Sequence, residues 1–442
     1  MLLFLASWLA LCGVSAPPAS GGQTVTLQPA DISTIPRIMP KVIVVRPKVL
    51  ALKSTYPDTL AKIPASFKTP VFGTLQFGPA DNPKTVIVGV QEREEDAPDI
   101  RVDVNANGDL TDDPPLHPVR SKFVRKDGVT LTEYTVTPTI PIPYETTTSL
   151  LTVNIRWLDR QDVRRTDGST PILYYANYFT KGQLRLGEKT YPIALADTRA
   201  TGDFRGTPTG EVSNVLLLID RNGNDLFDPR GEGYDIRQPF TIDGTTYQIT
   251  AVDPSGLKFT LVKSPKTVAE ILPPPDLRPG KSVVAFTGKT LEGKKIAFPE
   301  DYKGKLVLLY FWGSWCGDCQ AEVPYWATAW QRFKGKGVEF LGISVDYPDY
   351  GTQLAAFIKK NSLPPDHIYA GKHWNADIAV LYGVMSIPTT YLVEGDTGKV
   401  VAWGDDLLEE RLVPTLERML INRRSAQEPA LPFLSAPRSA SR

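Results

Sequence analysis

Two hydrophobic patterns divide the chain. Between residues 283 and 421, continuous apolar blocks such as "KLVLLYFW" and "VEFLGISVD" alternate with helix-like stretches such as "AEVPYWATAWQRFKG" and "TQLAAFIKKN". Strand and helix in alternation predict an α/β domain around a central sheet. Between residues 24 and 263 the apolar runs are short, β-rich and broken by proline, as at Val42–Val45 and Val71–Phe77. That half reads as mostly antiparallel β structure. Residues 264–282 contain three consecutive prolines and a Pro-Gly, which makes a semi-rigid spacer. Residues 422–442, "NRRSAQEPALPFLSAPRSASR", read as a disordered tail.

An internal repeat stands out in the β-rich half. "KTVIVGVQ…DIRVDVNANGDLTDD…KDGVTLTEYTV" is followed 117 residues later by "KTYPIALAD…NVLLLIDRNGNDLFD…IDGTTYQITAV" when Asp103 is set on Asp220. Each copy has a strand, a polar loop, a strand ending in Asp, an Asn/Gly loop and a "DG" hairpin. Two similar β modules or one duplicated sandwich would both give this pattern.

A length of 442 residues predicts more than one domain. Apolar content of 42% and charged content of 22% are those of a globular protein. Lys+Arg and Asp+Glu are both 49, so no basic excess points to nucleic acid. The opening "MLLFLASWLALCGVSA" is short, apolar and ends in small residues, and residues 1–20 are expected to be a signal peptide. It lacks an early Lys or Arg. Cys12 opens lipidation as an alternative, although Leu11 precedes it where a small residue is usual. Export to the periplasm or cell envelope is the expectation. Membrane association would come from lipidation or a retained leader.

Beyond the leader the only cysteines are Cys316 and Cys319, in "FWGSWCGDCQ". They follow an apolar strand and open a helix. A thiol there faces unpaired N–H groups and the positive end of the helix dipole, which favours thiolate. Cys316 is expected to be exposed and nucleophilic, and Cys319 to be more buried and to resolve the mixed disulfide. Trp312 and Trp315 are expected to offer a partner chain an apolar surface. A zinc site would need about four ligands, and no second Cys pair or clustered His supplies them. A structural disulfide across two residues closes almost no loop.

"WCGDCQAEVP", followed by "VEFLGISVD", "YGVMSIPTTYLVE" and "GKVVAWG", resembles the TlpA/ResA-like thiol-disulfide oxidoreductases of the thioredoxin superfamily, over roughly residues 280–421. The resemblance implies a thioredoxin fold and an exported enzyme that reduces protein disulfides. It implies a cis-proline at Pro388 that presents Ile387 backbone groups to an extended substrate, a helix-kinking Pro324, and Glu322 as proton acceptor for the resolving thiol. Implied partners are disulfide-bearing proteins, apocytochrome c among the possible ones, and a transmembrane thiol relay. No catalytic cofactor is implied. Two positions depart from the pattern. Tyr310 stands where classical thioredoxins keep a buried Asp. Asp318 separates the cysteines, and its charge is expected to make the disulfide harder to reduce, favouring a reductant. A peroxidatic cysteine would need an upstream Thr, which is missing before Cys316.

The Asn/Gly loops alternate oxygen side chains: Asp103, Asn105 and Asn107, with Asp109 and Asp112 following; then Asp220, Asn222 and Asn224, with Asp225 and Asp228 following. Alternating oxygens on a turning backbone suit calcium, in a structural role. Gly108 permits the turn in the first loop, where the second has Asp225. Neither loop has an EF-hand's Glu at its twelfth position, since Glu232 lies one beyond. The competing reading is a turn capped by its own side chains. The alternative function is therefore a calcium-stabilised envelope binding protein with an accessory thioredoxin domain. Tyr174, Tyr175 and Tyr178 suggest strand packing before a binding face.

Overall fold

The structure is a computed structural model that describes residues 22–31, 47–93, 97–124, 130–159, 170–207, 212–225 and 227–427. The expected leader, the Val42–Val45 run and the tail from residue 428 lie outside the described residues. The chain divides into two compact units, Met1–Arg221 with Asp225–Ile271, and Asn222–Asn224 with Leu272–Arg442. Among the described residues no helix is long and apolar enough to cross a membrane.

The first unit is built of antiparallel strands. One sheet of eight runs in the order Gly233–Asp235, Val215–Ile219, Lys189–Asp197, Tyr178–Leu186, Gln23–Asp31, Lys258–Lys263, Thr245–Val252, Phe240–Ile242. A second sheet joins Lys48–Leu52, Thr170–Ala176, Thr148–Asp159, Thr130–Val136 and Val119–Val124, with Thr139–Pro143 also paired to Thr148–Asp159. A third holds Val71–Phe77, Lys84–Gln91 and Asp99–Val102. The hairpins that follow the two Asn/Gly loops lie in different sheets, Val119–Val136 in the second and Phe240–Val252 in the first. Alternate residues along these strands feed one core, from Val25 and Leu27 through Phe77, Val88, Ile155 and Trp157 to Phe259 and Leu261. Tyr174 lies under the Lys48 ammonium and Tyr175 under the Arg156 guanidinium, while Tyr178 is buried.

In the second unit we label β1 (Phe286–Lys289), β2 (Lys295–Phe298), β3 (Leu306–Trp312), α1 (Gly317–Phe333), β4 (Val338–Ser344), α2 (Gly351–Lys360), β5 (His367–Tyr369), α3 (Asp377–Leu381), β6 (Thr389–Glu394), β7 (Lys399–Trp403) and α4 (Leu412–Gln427). Strands β1 and β2 form a hairpin, and the main sheet runs β5-β4-β3-β6-β7. The β3–β4 and β4–β5 pairs are parallel, and β3–β6 and β6–β7 antiparallel. Strand β3 is buried along its whole length. Leu306, Leu308, Tyr310 and Trp312 face the core that contains α1 and α4, and Val307, Leu309 and Phe311 face the opposite one. A strand covered on both sides needs no polar alternation, hence the unbroken apolar run. Helix α4 continues to Gln427, so the first residues of the tail expected from residue 422 are helical.

Candidate active site

The site lies at the end of β3, where the chain turns into α1. Cys316 is the N-cap of α1, and its sulfur accepts the Cys319 N–H at 3.3 Å. That N–H is one of the helix-start amides without an intrahelical partner, and it brings the positive end of the helix dipole to the sulfur. On the other side, Cys316 Sγ lies 3.6 Å from the Ile387 carbonyl, and the Ile387–Pro388 peptide is cis. Both cysteines are free thiols. Cys316 is only 8% exposed, which corrects the expectation of an open thiol: the loop closes around it and leaves a small window. Cys319 is fully buried, and burial, then its contact with Cys316, pushes its thiol well above the usual range.

Glu322 sits one turn beyond Cys319 on the buried face of α1, and Pro324 lies inside that helix, which continues through it to Phe333. Its Oε2 accepts the Glu409 N–H at 2.9 Å. Burial, then the neighbouring Glu409 and Glu410, raise its carboxyl above the ordinary carboxylate value.

Trp312 is corrected more strongly. It is fully buried, and its Nε1 donates to His367 Nδ1 at 3.1 Å, so it offers a partner nothing. Burial pushes the His367 imidazole down to about 3, and the neutral ring also meets the Tyr310 hydroxyl at 3.2 Å. Gly342 leaves the room that this ring needs, since a Cβ there would lie 2.3 Å from His367 Nδ1. Burial holds the Tyr310 phenol protonated, so it cannot act as the base that an Asp supplies at that position. Trp315, in contrast, is 40% exposed beside Cys316.

Several supporting residues escaped sequence reasoning. Asp346, just past β4, is completely buried. It accepts the Ser314 N–H at 3.1 and 3.2 Å, the Ser314 hydroxyl at 2.6 Å and the Ser344 hydroxyl at 2.7 Å. Gln320 Nε2 donates to the Ser314 carbonyl at 2.6 Å. The residue two before Cys316 is thus held at its N–H, its hydroxyl and its carbonyl. The readable signal was an Asp two residues past a buried strand, on the side where α/β sheets bind ligands.

The acidic loops are far simpler. The Asp103 carboxylate accepts the Asn107 and Gly108 N–H groups at 3.0 and 2.9 Å, and Asn105 Oδ1 also accepts the Asn107 N–H. Asp220 accepts the Asp225 N–H at 3.1 Å, and Asn222 Oδ1 the Asn224 N–H at 3.0 Å. Left-handed backbone at Ala106 and Gly108 is matched at Gly223 and Asp225. The two loops therefore share one turn geometry. Asp109 is engaged by Thr111 and Lys62, and Asp112 by Asn105 and Asn107. Asp228 takes part through its N–H, which donates to Glu232 at 2.9 Å. Among the described residues no three His, Cys, Asp or Glu side chains form a metal-holding group.

The AhpC/TSA family model matches residues 279–402. The ResA thiol-disulfide oxidoreductase of Bacillus anthracis is 37% identical over 142 residues, 32% of this chain and 76% of that protein. The chain belongs, through its C-terminal third, to the ResA family of thiol-disulfide oxidoreductases. The ResA protein of Bacillus thuringiensis subsp. konkukian is 39% identical over 123 residues, and the chain spans 66% of its length. The thioredoxin domain of a thiol-disulfide oxidoreductase from Bacteroides vulgatus is 29% identical, with a TM-score of 0.29, covering 33% of this chain and 99% of that one.

Proposed function

We propose that this protein reduces disulfide bonds in other proteins. The observation that carries the reading is the Cys316 sulfur, capped by the Cys319 N–H at the start of α1 and faced by the Ile387 carbonyl. The Cys316 thiolate attacks one sulfur of a substrate disulfide. A mixed disulfide forms, and the other substrate sulfur leaves as a thiolate. Cys319 loses its proton and attacks Cys316 Sγ, releasing the second substrate thiol and leaving a Cys316–Cys319 disulfide. Two electrons pass to the substrate, and an external thiol donor, of the transmembrane relay kind, must return them. The high proton affinity of Cys319 makes the second step the harder one, and the raised carboxyl of Glu322 suits it as the proton acceptor.

The apolar run at residues 1–16 supports work in the cell envelope. Measuring the potential of the Cys316–Cys319 couple tests the direction: about −270 mV fits a reductant, and about −120 mV contradicts it. Trapping with Cys319→Ser should stall the mixed disulfide and hold the substrate on Cys316.

The shared turn geometry of the Asp103 and Asp220 loops supports the reading that they arose by duplication. A structural calcium ion in the first loop is part of the proposal. Its support is Asp113, a buried carboxylate whose Oδ2 makes no hydrogen bond; the other ligands would have to be amide and backbone oxygens, since the described carboxylates alone form no metal-holding group. Dialysis against a chelator should lower the melting temperature, and an unchanged melt removes the ion from the proposal.

A further inference from the structure

An aromatic surface adjoins the thiol, and the exchange chemistry does not use it. Trp315 lies 5.1 Å, centroid to centroid, from His373, 5.9 Å from Tyr347 and 6.0 Å from Trp374. The His373 ring stacks on Tyr347 at 4.2 Å and 20°. Two connections supply these rings, one after β4 (Tyr347) and one after β5 (His373 and Trp374). Tyr347 is 51% exposed and Trp315 40%. Exposed rings gathered into one patch, unlike rings scattered singly, mark an interaction surface.

The arrangement is held in place. The Val345 carbonyl accepts both Trp315 Nε1 at 3.2 Å and His373 Nδ1 at 2.8 Å, one for each lone pair. The His373 N–H donates to the Asp346 carbonyl at 3.2 Å. His373 has a φ of +49°, a left-handed backbone unfavourable to a residue with a Cβ. Backbone held in such a conformation gathers at functional sites. Lys372 pairs with Asp377, and the buried Asp346 is saturated by Ser314 and Ser344, so neither competes for the ring faces. The rings are the apolar part of this exposed face.

We propose that Tyr347, His373 and Trp374, together with Trp315, form a docking ledge for a bulky apolar side chain near the attacked cysteine of the substrate. The inference rests on the reading that Cys316 attacks protein disulfides. Its occupant is the substrate segment itself, because that segment must bring a sulfur to Cys316 and so pass beside Trp315. A substrate indole or phenyl ring would lie against Tyr347 and Trp374 in offset or edge-on contact. The enzyme would then favour disulfides flanked by aromatic residues over those flanked by glycine.

Two peptides carrying the same disulfide test this, one with Trp and one with Gly beside the attacked cysteine. For the wild-type protein, kcat/KM should favour the Trp peptide about tenfold, the size of one good ring contact. His373→Gly keeps the left-handed backbone and removes the ring. Tyr347→Ser acts on the other connection, so a folding defect in one variant leaves the second decisive. In both, the preference should fall toward one through loss on the Trp peptide. Equal rates on the two peptides in the wild type, or an undiminished preference in both variants, overturns the ledge and leaves disulfide reduction standing. If neither peptide is reduced, the functional reading fails and the ledge with it. A dimer that Tyr347→Ser dissociates would assign the face to a second copy of this chain and overturn the proposal.

Discussion

Asp197 and Glu322 are both buried carboxylates, one in each unit, and they are treated in opposite ways. Asp197 accepts six donors: the Tyr178 hydroxyl, the N–H groups of Arg199, Thr201 and Gly202, the Thr201 hydroxyl and the Asn214 amide. Its lone pairs are filled, and it serves the turn after a strand. Glu322 takes a single N–H, from Glu409, and burial raises its carboxyl. Saturation marks a group whose work is to hold the backbone. Deficit marks a group poised to take a proton. Asp346 belongs with Asp197, although it lies beneath the reactive loop. Asp113 is the exception in the β-rich unit, buried with an idle oxygen.

The comparison breaks most visibly at Asp197. Asp197→Ala leaves buried N–H and O–H groups unpaired and should cost about 3–5 kcal/mol, read by urea unfolding. The rate of thiol exchange by the protein that stays folded should be unchanged. A stability change under 1 kcal/mol would mean that its hydrogen bonds are not what holds the turn.

Glu322→Gln should do the reverse. Loss of the proton acceptor should slow release of the mixed disulfide about 100-fold while attack by Cys316 stays fast, as read by rapid-quench trapping. Stability should hold or rise at neutral pH, because a neutral amide replaces a buried carboxyl that resists ionisation. Equal slowing of both steps would make Glu322 a packing residue.

Asp346→Ala should release Ser314 and cost about 2 kcal/mol, with a roughly tenfold loss of exchange rate. Asp346→Asn keeps the size and one acceptor, and should recover much of the rate. No recovery would move the role of Asp346 from positioning to charge.

The smallest effect lies at Asp113, whose carboxyl is raised from 3.8 to about 6, chiefly by burial. The native state therefore holds this proton more tightly than the unfolded chain. With a chelator present, stability should fall as pH rises from about 4 to about 6 and stay level above. Asp113→Asn should remove that slope. Added calcium should restore stability at pH 7 to the wild-type protein alone.

The catalytic loop was readable because local rules decide it. A strand buried on both faces, a cysteine pair and a helix start occupy one short stretch. The same rules misplaced Trp312, because an unbroken apolar run carries no alternation to separate inward from outward positions. The degree of Cys316 burial was hidden for another reason: the Ile387 carbonyl that closes over it arrives from 71 residues away. Tyr347, His373 and Trp374 sit in loops that the β4–β5 pairing brings together, and only their position past strand ends hinted at them. In the β-rich unit the strands were visible but their partners were not. Gln23–Asp31 joins Tyr178–Leu186 to Lys258–Lys263 across more than 140 residues, a choice no local signal encodes.

The central claim is that Cys316 attacks and Cys319, held as a buried thiol, waits. Brief alkylation of the reduced protein at pH 7, followed by mass spectrometry of the peptide containing both cysteines, measures this directly. Modification at Cys316, with Cys319 untouched until the protein is unfolded, is the expected result. Modification of Cys319 first, or of both at equal rates, would contradict the account.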